Sequence, residues 1–183
     1  MKKNAVVLLG LICCVPGCSD LGDPYTPPRV LPGVGVDGVR IGDSPSRVHE
    51  VLGKASGRAF FSGVHGGGTC EHWDVGPHAG MWVFYYPDFS REDQMGPVDA
   101  ISVLPPYDGA TEDGVGIKSG LGTVLALRPD PAYKSIDSTG SGIVIYCVSH
   151  RYLNVTFKDS VVSMVFSGYW DPPKPGEFPF YCP

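Results

Sequence analysis

Apolar residues recur along the chain with two periods, and each period predicts its own element. The turn-forming run Asp37-Gly-Val-Arg-Ile-Gly-Asp-Ser44 leads into Val48 and Val51 at helical spacing, which predicts a helix of roughly two to three turns. Asp43 or Ser44 supplies the N-cap, since either side chain accepts from the orphan N–H groups of the first turn, and Gly53 ends the helix. The same order returns at Asp113-Gly-Val-Gly-Ile-Lys-Ser-Gly120. At an offset of 76, Gly38 lies over Gly114, Val39 over Val115, Ile41 over Ile117, Val48 over Val124 and Val51 over Leu127, and Pro129 stops the second helix. Alternation of period two then marks Met81-Trp-Val-Phe-Tyr85 and Leu153-Asn-Val-Thr-Phe157 as matched strands. Asp99-Ala-Ile-Ser-Val103 and Val162-Ser-Met-Val-Phe166 match at an offset of 63, so the first copy holds about thirteen extra residues, at Pro87 to Pro97. The second copy has the short turn Lys158-Asp-Ser160 there. The expected class is α+β: two tandem repeats, residues 36–110 and 111–168, each a short helix followed by an antiparallel β-meander, with the meanders able to join in one continuous sheet.

Outside those limits the pattern changes. Lys2 and Lys3 precede an apolar run of eleven residues, Ala5 to Val15. As a helix this run rises only about 16 Å, enough to engage an export machinery and too short to span a bilayer. Residues 1–17 therefore read as a signal peptide. Val15-Pro-Gly-Cys18 resembles the lipobox of bacterial lipoproteins, which implies acylation of Cys18; Ser19 rather than Asp follows it, and by the same resemblance the outer membrane is favoured. Residues 18–35, rich in Pro and Gly, read as a linker, with packing of Val30, Leu31 and Val34 on the domain edge as the alternative for its second half. Residues 169–183 form a Pro/aromatic-rich tail.

The most specific piece is Gly38-Val-Arg-Ile-Gly-Asp-Ser44 with Val48 and Leu52, followed by an aromatic-rich meander. It resembles the repeat of the β-lactamase inhibitory proteins and of the small outer-membrane lipoproteins related to BamE (SmpA/OmlA), over residues 37 to 168. The second copy departs from the pattern, with Lys118 in place of the glycine at Gly42 and Gly120 in place of the serine at Ser44. The resemblance implies action by protein contact, without a cofactor.

Composition narrows the function classes. A formal charge of −5 and 14 Lys plus Arg among 183 residues, without a basic cluster, argue against nucleic acid. There is no G-x-S-x-G elbow, and Ser149 and His150 are neighbours in a strand, so they point to opposite faces; no catalytic set is expected. His65, Cys70, His72, Asp74 and His78 fall within fourteen residues, but no paired-ligand spacing joins them and Trp73 reads as an inward aromatic, so no metal is expected. Cleavage before Cys18 leaves Cys18, Cys70, Cys147 and Cys182. The expected disulfide is Cys70 with Cys182, joining two loose segments, while Cys147 reads as a buried strand thiol; Cys147 with Cys182 is the competing pair.

What remains are surface aromatics. Trp82, Phe84 and Tyr86 share one strand face and, with Phe89 and Arg91 of the 87–97 insertion, form the expected partner-binding surface. Cover of that face by the tail is the alternative. The expected function is that of a lipid-anchored cell-envelope protein, held to the membrane by acylated Cys18, that binds another envelope protein as a scaffold or assembly factor; the alternative is a proteinaceous inhibitor of an envelope or extracellular hydrolase.

Overall fold

In the computed structural model the described residues are 29–61, 68–87, 95–148 and 151–168. Alternating residues build the main layer. Strands β4 (Gly57–Phe61), β5 (Gly68–Trp73), β6 (Met81–Pro87) and β7 (Met95–Val103) form one antiparallel meander. Strands β9 (Tyr133–Ile136), β10 (Gly142–Val148), β11 (Arg151–Lys158) and β12 (Val161–Gly168) form a second. The two join edge to edge, β7 antiparallel to β12 with Val103 opposite Val165, into an eight-stranded sheet of order β4-β5-β6-β7-β12-β11-β10-β9. Four short strands, β1 (Arg29–Leu31), β2 (Gly35–Val36), β3 (Val39–Arg40) and β8 (Ala110–Thr111), make a separate sheet of order β3-β2-β1-β8.

The expected α+β class is corrected by this arrangement. Half of the described residues, 50%, are in strands, which fall into three sets of four. The helices are α1 (Pro45–Leu52, eight residues) and α2 (Leu121–Leu127, seven residues), each only about 10–12 Å long. Elements that short cannot form a layer over eight strands. The small sheet completes the cover: its Val30, Val36 and Val39 enter the same buried cluster as Val48 of α1, Val124 of α2, and Met81, Val83, Ile101, Val103, Leu153, Val155 and Val165 of the large sheet. The molecule is mainly β. The segment 29–36 thus belongs to the fold, the packed alternative to a linker, and β1 reaches across to pair in parallel with β8.

The turns that open α1 and α2 share their backbone. Gly38 and Gly114 stand at φ +85° and +86°, and Gly42 and Lys118 at +94° and +72°. Gly42 N–H donates to the Val98 carbonyl and Val98 N–H to the Asp43 carbonyl; Lys118 N–H and Val162 N–H repeat the pair with Val162 and Ser119. These bonds match Val98 to Val162, an offset of 64 in place of the expected 63. Ser44 is the α1 N-cap, its hydroxyl accepting from Arg47 N–H, whereas Gly120 caps α2 without a side chain. The Asp159-Ser160 turn between β11 and β12 has both residues at positive φ, +52° and +64°, as a two-residue hairpin requires.

Candidate functional site

Alternation divides β6 between two faces. Met81, Val83 and Tyr85 are fully buried on the helix-bearing face, which leaves Trp82 and Phe84 on the outer face, both partly buried. Trp82 is already engaged, because His72, opposite it on β5, stacks on its ring at a centroid distance of 4.7 Å. Tyr86, 47% exposed, is the expected contact aromatic that meets solvent. Phe89 and Arg91 lie outside the described residues, as do Cys18 and Cys182.

Phe60, on edge strand β4, is 85% exposed and was missed by the sequence reading. Its signal was a Phe60-Phe61 pair ending a strand just ahead of the Gly66-Gly-Gly68 run. In an antiparallel meander the β4–β5 and β6–β7 connections leave from one end of the sheet, so Phe60 and Tyr86 mark that end from its two sides. Phe60, in register with Thr69 and Tyr85, lies on the helix-bearing side and Tyr86 on the outer side, their backbones about 10 Å apart across β5. The connections themselves, residues 62–67 and 88–94, lie outside the described residues. The corresponding connections of the second meander are closed turns. Asp137 Oδ1 accepts from Thr139 N–H at 2.8 Å and Ser141 N–H at 3.0 Å, and β11–β12 turns in two residues.

The cysteine assignments change. Cys70 is a free, buried thiol, so its expected disulfide with Cys182 is corrected; its Sγ–H donates to the Ala59 carbonyl at 3.5 Å, and burial pushes its pKa up. Cys147, expected as a buried thiol, is instead disulfide-bonded. The physical reason lies in the pleat: Val144 and Tyr146 fill the core, which turns Cys147 to the outer face. With Cys70 free, the partner of Cys147 lies outside the described residues.

Beneath α1 sits a polar cluster that sequence reasoning also missed. Glu71, 3% exposed, points from β5 toward the helix-bearing face beside Trp73. Arg58 Nη2 donates to its Oε1 at 2.9 Å, while His49 Nε2 at 2.7 Å and Tyr85 OH at 2.9 Å donate to Oε2. Burial alone raises a carboxyl pKa, but the hydrogen bonds from Arg58, His49 and Tyr85 outweigh it and hold Glu71 below its ordinary value. Burial, with Glu71 as acceptor, pushes the Tyr85 phenol far up. The carboxylate is therefore satisfied from within and fastens α1 to the sheet; it has no lone pair aimed at an open site. A second carboxylate, Asp37, ties the β2–β3 turn to the large sheet's connections, accepting from His78 Nδ1 at 2.9 Å and Tyr107 OH at 3.1 Å. His72 Nε2 is 3.2 Å from Asp74, and among the described residues no three His, Cys, Asp or Glu side chains converge as metal ligands would.

No family model matches the chain, and no curated protein matches it. Among solved structures, the uncharacterized protein yfeY from Escherichia coli is similar at 13% identity, covering 79% of this chain and 100% of that one with a TM-score of 0.49. It transfers neither an architecture nor an activity to this chain.

Proposed function

We propose that this is a lipid-anchored protein of the bacterial cell envelope that acts by binding another protein, through the loop end of its first meander. The observation that carries the reading is the asymmetry between the two meanders at this end: Phe60 and Tyr86 stand exposed there, and the seven residues 88–94 join β6 to β7 where Asp159-Ser160 alone joins β11 to β12. Solitary exposed aromatics are common, but aromatics with adjacent charge are what partner surfaces favour, and the 88–94 connection carries Asp88, Arg91, Glu92 and Asp93 around Phe89. The membrane anchor would be acylated Cys18, and the role that of a scaffold or assembly factor. No cofactor enters this reading.

A photo-crosslinking residue placed at 60 or 86 of the full-length protein in native membranes tests it, with position 161, 40% exposed beside the corresponding turn of the second meander, as the control. One partner captured from 60 and 86, absent from 161 and lost when Arg91 to Gln94 are deleted, supports the reading. Equal capture from all three positions, or none, overturns it. The length of the 88–94 connection favours one second reading, inhibition of a hydrolase by an inserted loop, and the identity and residual activity of the captured partner separate the two.

A further inference from the structure

We propose that residues 169–183 lie across the outer face of the eight-stranded sheet and are fastened there by a disulfide between Cys147 and Cys182. The helices and the small sheet all pack on the opposite face, yet the middle of the outer face is buried. Tyr152 is 7%, Asn154 4%, and Cys70, Ala100 and Ser102 each 2% exposed. In-plane neighbours can shade Ala100 or Ser102; a tyrosine standing up from the sheet needs something above it. The register also aligns three buried polar atoms without partners, His72 Nδ1, Ser102 Oγ and Asn154 Oδ1, in one row running 72, 82, 102, 166, 154 across the strands. Such a row faces a covering layer that is not a further strand of the sheet.

Cys147 points to the occupant. It is disulfide-bonded to a residue outside the described ones, on the outer face, in a row with Tyr152 and Gly168, the last residue of β12. The chain leaves β12 two strands, about 10 Å, from Cys147. Fourteen residues from Gly168 to Cys182 reach about 46 Å when extended, so the segment has length to cross the face and return to β10. The N-terminal cysteines, by contrast, precede β1, whose Val30 is buried on the helix-bearing side and whose following turn, at Gly33, meets Val148 and Arg151 where β10 and β11 end, so they would have to pass around that end of the sheet to reach Cys147. Composition agrees with a cover: Tyr169, Trp170, Phe178, Phe180 and Tyr181 supply apolar surface, and five prolines remove the N–H groups that a ninth strand would need. Forming the bond takes two electrons and two protons from the thiols of Cys147 and Cys182; an external disulfide accepts them and becomes two thiols.

The first test is peptide mapping of the full-length protein under non-reducing conditions after alkylation of free thiols. A Cys147–Cys182 peptide is expected, with Cys70 alkylated only after unfolding. Cys147 found free, joined to Cys18, or joined to a second copy of the chain overturns the proposal. The second test is hydroxyl-radical footprinting of the native chain, of Cys182→Ser, and of a chain ended at Gly168. Oxidation of Tyr152 and Trp82 is expected to rise several-fold in the shortened chain while circular dichroism keeps its strand signal; unchanged oxidation overturns the proposal. If the shortened chain does not fold, reduced native protein and Cys182→Ser give the same reading, and unchanged oxidation in both overturns it.

Discussion

At matched positions the two meanders bury opposite chemistry. Met81, Val83 and Tyr85 of β6 correspond to Leu153, Val155 and Phe157 of β11, and their cross-strand partners carry the match outward: Glu71 lies opposite Val83 as Val144 lies opposite Val155, and Arg58 opposite Glu71 as Lys134 opposite Val144. On the helices His49 corresponds to Leu125. The second half thus fills with Val144, Leu125 and Phe157 the site that the first half fills with Glu71, His49 and Tyr85. The apolar version holds α2 without direction. The polar version fixes α1 through three donors on one carboxylate, so each of its members depends on the others.

The sharpest way to break this comparison is to place the charge where its partners are missing. Val144→Glu buries a carboxylate at a position with no exposure, and Lys134 beside it is exposed on an edge strand, so a loss of about 4 kcal/mol is expected in denaturant unfolding. Adding Leu125→His and Phe157→Tyr should recover part of it. No recovery would mean that the cluster depends on more than these three positions.

Next comes removal of the original charge. Glu71→Val strands the buried Tyr85 hydroxyl and should cost about 1–3 kcal/mol, and Tyr85→Phe in the same chain should return most of that. The folded-state pKa of Glu71 is depressed, so its contribution is present above the ordinary value of 4.5 and is lost as pH falls through the folded pKa. The gap between native and Glu71→Val should therefore be widest near neutrality and narrow in acid titrations below about pH 4.5. A gap that widens in acid contradicts the assignment.

The turns give smaller effects. Lys118 holds at φ +72° the left-handed backbone that Gly42 holds at +94°, so Lys118→Gly should raise stability by about 1 kcal/mol. Gly42→Ala should lower it by a similar amount, and because a Cβ there meets nothing within 4 Å, that change reports the backbone alone. Smallest is Gly120→Ser, which gives α2 the cap that Ser44 gives α1 and should add a few tenths of a kcal/mol. Thermal unfolding of the three variants checks the order.

Much of the strand layout was legible. Alternation located β6, β7, β11 and β12, and the Asp159-Ser160 turn follows from its length. The class was not, because the sequence marks two helix starts clearly while the strands that share the covering work are two or three residues long, too short to show a period. Glu71 was not legible for a related reason: a carboxylate next to Cys70 and His72 in a strand reads as solvent-facing, and only the pairing that sets it beside Arg58, His49 and Tyr85 explains its place on the buried side with Trp73. Cys147 was placed on a strand correctly, but alternation does not say which face is the core until the opposite residues are known. The exposure of Phe60 depends on β4 being an edge, which is a property of pairing order and not of its own residues.

The seam between β7 and β12 joins residues about sixty positions apart through four paired positions, Ala100 to Val103 against Val165 to Gly168. A chain that has formed only its first meander therefore shows an open edge on β7, and the β12 of a second copy fits it as well as its own does. Exchange of whole second meanders between two chains satisfies every strand pairing described here. The error to look for on concentrated refolding is thus a domain-swapped dimer, visible by size-exclusion chromatography and suppressed by dilution.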